Sequence, residues 1–130
     1  MRKPSETVEQ AIRRTVEEGQ TLHTPARGSR FSVARLDPQH LVLLLGRNEV
    51  WTPISWTCLE GVPDFLRGRG WVVIGSKYVT SGDPDTLDGY LKDFIKRATA
   101  GWVAAVLEHA GVVEIDRGRP ARVRLTSTFS

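Results

Sequence analysis

The stretch that decides the fold is TLDGYLKDFIKRATAGWVAAVLEHAGVVEIDRGRPARVRL, residues 86–125. Its first part has apolar side chains at the i, i+3, i+4 and i+7 spacing of one helical face, namely Leu87, Tyr90, Leu91 and Phe94. Asp85 or Thr86 stands immediately before them, and either side chain can accept a hydrogen bond from a backbone amide of the first turn. The stretch therefore begins with a predicted helix.

The helical pattern breaks around residues 97–101, and a second pattern follows. Thr99 is a candidate N-cap, and Gly111 tolerates the left-handed conformation that ends a helix. The residues expected to be buried between them are Trp102, Val103, Val106, Leu107 and Ala110. The chain then reads as a strand, a turn over residues 117–120 and a return strand, with apolar residues Val112, Val113, Ile115, Val123 and Leu125. The stretch thus predicts two closely spaced helices and a hairpin.

This order of two helices and a hairpin resembles that of the winged-helix or helix-turn-helix superfamily, whose fold is most often used to bind DNA. The resemblance covers residues 86–125 of the chain, and it implies that the hairpin acts as a wing. Four arginines of the hairpin are candidates for contacts with phosphate oxygens, namely Arg117, Arg119, Arg122 and Arg124. The alternative is that a charged hairpin tip only keeps the edge soluble and protects it from strand pairing.

The charge distribution favours an anionic partner for the second half of the chain. The net charge is +3, and the sequence pI is about 9.4. Residues 1–65 hold eight basic and eight acidic side chains, whereas residues 66–130 hold ten basic and seven acidic ones. Six further cations of the second half are predicted to extend the binding surface: Lys92, Lys96, Arg97, Arg67, Arg69 and Lys77.

The second predicted helix carries no lysine or arginine between Thr99 and Ala110. Direct readout of bases generally uses Arg, Lys, Asn or Gln on the element in the major groove, so this helix is a poor base reader. An alternative function is therefore a protein-interaction or oligomerisation module, in which Ala100, Ala104 and Ala105 admit a helix of a homodimer partner. A third alternative is an accessory domain of a larger enzyme.

The tryptophans suggest a second means of recognition. Trp51, Trp71 and Tyr78 are candidates for stacking on a modified or unpaired base, because Arg67, Arg69 and Lys77 interleave cations with two of these rings. The alternative is that these aromatic residues belong to the core or its rim.

The N-terminal half predicts a helix over residues 5–18 and a small antiparallel meander. Its strands are centred on Phe31 and Val33, on residues 41–45 and on residues 50–54, and Ser55 is a candidate cap for a short helix. Another strand is predicted over residues 71–74. The fold class is therefore α+β, in a single compact domain over residues 1–130, divided into a helix and strand-rich part (1–74), a loop (75–85) and the winged-helix-like part (86–125).

The sequence does not predict an enzyme. His23, His40 and His109 are far apart in the chain, and no metal-ligand spacing, nucleophile elbow or phosphate loop is present. Cys58 is the only cysteine, and we expect it to be buried. No cofactor, metal or membrane contact is predicted, and a cytoplasmic location is expected. The predicted function is metal-independent, noncatalytic binding of nucleic acid, duplex DNA in the first place.

Overall fold

The computed structural model describes residues 6–75, 83–96 and 98–129. Helices and antiparallel sheets build it, which confirms the predicted α+β class. The elements of the N-terminal half are α1 (Val8–Thr15), β1 (Thr21–His23), β2 (Arg30–Leu36), β3 (His40–Leu45), β4 (Val50–Ser55), α2 (Trp56–Glu60), α3 (Val62–Leu66) and β5 (Val72–Val73). The elements of the C-terminal half are α4 (Leu87–Lys92), α5 (Ala100–His109), β6 (Val113–Asp116) and β7 (Arg122–Leu125).

The N-terminal helix is shorter than the predicted residues 5–18. Thr7 and Gln10 form a capping box at its start, so α1 begins at Val8. The carboxylate of Glu60 also accepts hydrogen bonds from the amides of Val8, at 3.1 Å, and Glu9, at 2.9 Å. At the other end Val16 has an extended backbone, with φ −118° and ψ 136°, which stops the helix after Thr15. The prediction extended the helix too far because the apolar spacing continues to Val16.

The predicted meander is confirmed and has one strand more than expected. The first sheet is antiparallel in the order β1-β2-β3-β4. The carboxylate of Asp37 accepts hydrogen bonds from the amides of Gln39, at 2.8 Å, and His40, at 2.6 Å, and so closes the turn between β2 and β3. The three-residue strand β1 was missed because only Leu22 of its residues is apolar. Ser55 caps α2, as predicted, by accepting a hydrogen bond from the amide of Cys58.

A second sheet joins the strand before the helix pair to the hairpin after it. Its order is β5-β7-β6, and both pairings are antiparallel. Thr86 caps α4 through the amide of Gly89, which selects Thr86 over Asp85 as the cap. Residues 76–82 of the predicted loop lie outside the described residues.

The helix pair differs from the prediction at two points. The helix α4 ends at Lys92, and Phe94, predicted to be buried on its apolar face, is 49% exposed. Its ring lies 5.4 Å from the ring of Tyr90 and so contacts the surface side of that residue. Thr99 precedes α5 as predicted, but its side chain makes no capping hydrogen bond. Gly111 has the expected positive φ, +78°, just beyond the end of α5.

The core is one continuous cluster to which both halves of the chain contribute. The helix α5 lies within it and contacts α1 and β1 of the N-terminal half as well as α4 and β6. Its middle residues are buried all round, from Val103 through Leu107. None of the helices in the described ranges has the length and hydropathy needed to span a bilayer.

Candidate nucleic-acid interface

The arginine-rich hairpin has the predicted shape, with β6 and β7 joined by a tip over residues 117–121. Val113, Ile115 and Val123 contribute to or pack against the core. Arg119 is exposed at the tip, and it makes no hydrogen bond or ion pair with any residue in the described part of the chain. Arg119 is therefore the cation of the tip that is free to bind an anion.

Arg117 is held against the end of α5. Its guanidinium donates two hydrogen bonds of 2.7 Å to the carboxylate of Glu108. These hydrogen bonds raise the pKa of Arg117, although its charge is present at neutral pH in any case. The side chain is still 50% exposed. Glu108 thus neutralises one of the four predicted phosphate ligands without covering it.

Arg122 and Arg124 are also paired, each with the residue opposite it on β6. Arg122 faces Asp116 and forms an ion pair with it, and Arg124 faces Glu114 at 3.4 Å. The hydrogen bond from Arg122, together with the amide of Gly118, lowers the pKa of the Asp116 carboxyl. Three of the four arginines of the predicted wing therefore have a carboxylate partner within this chain.

The same two arginines cover Trp71. The guanidinium carbon of Arg124 lies 4.4 Å from the centre of the Trp71 ring, and that of Arg122 lies 5.7 Å from it. The ring face under Arg124 is not open to a base. Trp51, on β4, is 54% exposed and keeps a ring that a base can reach. Tyr78, the third predicted stacking residue, lies outside the described residues.

The other predicted cations are mostly engaged locally. Arg67 forms an ion pair with Asp64. Arg69 donates a hydrogen bond of 2.6 Å to the carbonyl oxygen of Phe65, lies 4.5 Å from the ring of that residue, and is 3.5 Å from a carboxylate oxygen of Asp85. These contacts do not bring Arg67 and Arg69 together with the hairpin arginines.

The cations that follow Asp88 divide into paired and free ones. Lys92 lies 3.4 Å from the carboxylate of the buried Asp88. Lys96 is exposed and makes no ion pair with the described residues. Lys77 and Arg97 lie outside those residues, so the structure does not place them.

The middle of α5 is not available as a surface element. Ala100, Ala104 and Ala105, which the alternative function assigned to a partner helix, are only 2%, 0% and 6% exposed. They pack within this chain, so the expectation that these alanines form an exposed face for a partner helix is wrong. The cause is that α1 and β1 cover the part of α5 that the hairpin and α4 leave open.

Cys58 is fully buried, as predicted. Burial raises the pKa of its thiol to about 11, which keeps the nucleophilic thiolate form rare at neutral pH. In the described ranges, no group of three histidine, cysteine, aspartate or glutamate side chains is arranged to hold a metal ion.

Sequence reasoning missed the acidic partners of the hairpin. Glu114 and Asp116 alternate on one strand as Arg122 and Arg124 do on the other, and a turn over residues 117–121 places them opposite one another. That alternation could have predicted the two ion pairs from the sequence. The pairing of Arg117 with Glu108 had no such signal, since it depends on how α5 packs beside the hairpin.

Comparisons with protein-family models, with curated proteins and with solved structures found no match, so the functional interpretation depends on the geometry of the chain itself.

Proposed function

We propose that this protein is a noncatalytic nucleic-acid-binding module that holds the phosphate backbone of duplex DNA with its hairpin. The observation that carries the proposal is the exposed tip, where Arg119 has no partner among the described residues and Arg117 stands two positions away with half of its surface exposed. Arginine guanidinium groups bind phosphate oxygens in a bidentate way.

The sheet topology supports the resemblance to a winged helix. The strand β5, which precedes the helix pair, pairs with β7 of the hairpin, so the two helices are followed by a hairpin that belongs to a three-stranded sheet. A wing fixed in this way presents its tip at a constant orientation to the rest of the fold. This is what positioning on a DNA backbone requires.

The ion pairs of the hairpin reduce its positive charge but do not prevent binding. Exposed ion pairs are each worth about 0–1 kcal/mol, because water screens them. The side chains of Arg122 and Arg124 remain 43% and 45% exposed. A phosphate can therefore share or replace the carboxylate partners at little cost, with Arg119 as the first contact.

The burial of α5 defines the kind of recognition. A helix that is enclosed by the chain cannot enter the major groove, so the proposed binding does not read base edges through α5. Contacts to the backbone give affinity that depends on salt and little on sequence. Among the described residues, the exposed Trp51 is the candidate for stacking on a modified or unpaired base.

The test is fluorescence anisotropy of labelled duplex DNA, single-stranded DNA and RNA over a salt series. Arg119→Ala should reduce the slope of log affinity against log salt for the duplex by about 0.9, the value for one lost phosphate contact. Arg117→Ala should reduce it less, because Glu108 already neutralises that arginine.

A matched control is Arg14→Ala on α1. Arg14 donates two hydrogen bonds of 2.8 Å to Glu6, as Arg117 does to Glu108. The substitution therefore removes an equivalent ion pair at a site far from the hairpin in the sequence. Its slope should equal that of the wild type. If Arg119→Ala and Arg14→Ala have the same slope, the hairpin does not contact the phosphates, and if no nucleic acid binds at low salt, the proposed function is wrong.

A further inference from the structure

A cleft of about 710 Å³ lies where the first sheet meets α5, away from the residues assigned to the hairpin interface. Its walls include Phe31 on β2, Leu44 on β3 and Trp102 on α5. Three hydroxyl side chains also line it, those of Thr21, Ser29 and Ser32. A cleft of this volume, with aromatic walls and a few polar groups, has the size and composition of a small-molecule site.

The cations of this cleft lack carboxylate partners among the described residues, in contrast to three of the four hairpin arginines. Arg30 and Arg47 line it, and neither makes a hydrogen bond or ion pair with any residue that the structure describes. One acidic residue, Glu49, also lines the cleft. Among the described residues that line the cleft, two arginines against one carboxylate leave a net positive charge, which favours an anionic ligand.

Trp102 and Ser29 also line a second cavity, of about 260 Å³. The indole Nε1–H of Trp102 is buried and has no hydrogen-bond acceptor. Asp88 lines the smaller cavity, is 0% exposed, and has no donor for its Oδ1 atom. Buried polar atoms without partners are rare, and they often face the position of a ligand or water.

We propose that this cleft binds a nucleotide unit, with its phosphate on Arg30 and Arg47 and its planar ring against Trp102. The polar edge of the ring then points towards the smaller cavity, which Trp102 and Asp88 also line. The source of the unit is either a free nucleotide or one nucleotide of a single strand. This site does not rest on the hairpin interface.

The row of residues across the sheet suggests how a single strand would continue from the cleft. Thr21 pairs with Ser32, Ser32 with Leu44, and Leu44 with Trp51, so these side chains lie in one row on one face of the first sheet. Three of the four line the cleft, and the row ends at the exposed ring of Trp51. Exposed rings beside cations are typical of surfaces that bind single strands.

The test is isothermal titration calorimetry of the full chain with adenosine monophosphate, inorganic phosphate and adenosine. Adenosine monophosphate should bind more tightly than phosphate or adenosine alone, because only it engages the arginines and the ring together. The double substitution Arg30→Ala and Arg47→Ala should weaken its binding by at least about tenfold. Arg35→Ala is the matched control, since Arg35 is an exposed β2 arginine that does not line the cleft and whose charge acts on Asp37 instead.

Trp102→Phe tests the aromatic wall. It keeps a ring and removes a buried donor that has no acceptor, so the urea midpoint of unfolding should stay close to that of the wild type. Affinity for adenosine monophosphate should nevertheless fall about two- to tenfold, because phenylalanine offers a smaller surface for stacking. If Trp102→Phe binds as well as the wild type, the assignment of the ring to Trp102 is overturned.

Three further outcomes decide the proposal. Absence of binding at millimolar adenosine monophosphate overturns it, and so does equal binding by the double variant and Arg35→Ala. Binding of a short oligothymidine at least about tenfold tighter than thymidine monophosphate assigns the site to single-stranded nucleic acid, whereas equal binding assigns it to free nucleotides. Arg119→Ala should leave the affinity for adenosine monophosphate unchanged, so failure of the hairpin proposal and failure of this one are distinguishable.

Discussion

Replacing Gly89 with alanine should destabilise the fold, although alanine is favoured over glycine inside a helix by about 1 kcal/mol. A Cβ atom at Gly89 would lie 1.9 Å from the carbonyl oxygen of Asp83 and 2.7 Å from its carbonyl carbon, whereas ordinary contact begins at 3.4 Å. That oxygen also accepts hydrogen bonds from the amide and the hydroxyl of Thr86, at 3.2 and 2.8 Å. Relieving the overlap therefore displaces the residue that caps α4.

The magnitude follows from these opposing effects. Overpacking costs about 1–3 kcal/mol and a lost N-cap about 1 kcal/mol, and the higher helix propensity of alanine returns about 1 kcal/mol. The expected net loss in free energy of unfolding is about 1–3 kcal/mol, measured by urea denaturation. Gly101→Ala in α5 is the control, because a Cβ there meets no atom within 4 Å and should stabilise the protein by about 0.5–1 kcal/mol. A Gly89→Ala protein at least as stable as the wild type would refute the reasoning.

Three further predictions concern the hairpin and the core. Glu108→Gln should free Arg117 and steepen the salt dependence of duplex binding by up to about 0.9, and an unchanged slope in the anisotropy titration would contradict this. The lowered pKa of Asp116 means that its pair with Arg122 stabilises the fold above the ordinary carboxyl pKa and is lost as the pH falls below it. Wild type and Asp116→Asn should therefore differ in urea stability at pH 7 and converge in acid, and a constant difference would argue against that pair. Cys58 should react slowly with a thiol reagent at neutral pH and rapidly in denaturant, and fast reaction of the native protein would show that the thiol is not buried.

Much of the fold was predictable because its signals are local. Thr86 and Ser55 indicate where helices begin, because their side chains accept hydrogen bonds from the amides three residues later. The alternation of apolar residues in the meander and in the hairpin identified the strands that follow. Such patterns depend only on residues that are close in the sequence, and the helices and strands of the structure follow them.

Features that depend on packing between distant segments were not predictable in this way. Phe94 continues the helical spacing of α4, yet it is 49% exposed because the helix ends before it, at Lys92. Ala104 and Ala105 were expected at the surface of α5, but α1 and β1 cover them. Spacing shows that a residue belongs to an apolar face, and it does not show how many neighbours will cover the remaining faces.

The candidate site likewise has a part that the sequence predicts and a part that it does not. The sequence located the hairpin and its arginines, and the register of the hairpin would have predicted the carboxylates opposite two of them. It did not indicate that Arg30 and Arg47 would line a cleft with Trp102, because these residues come together from two strand ends and a helix. A sequence does not show whether an arginine has a carboxylate partner, because that depends on which residues the fold brings beside it.

The interior position of α5 determines which part of the chain is needed to hold the hairpin in place. This helix contacts α1 and β1 as well as β6, and at its C-terminal end Glu108 holds Arg117. A fragment cut before α4 would leave the side of α5 that α1 covers in water, and it would loosen the support of the hairpin. Under the proposed function, the N-terminal helix would contribute to DNA affinity through folding alone, so melting of α1 should weaken DNA binding even though α1 carries none of the proposed phosphate contacts.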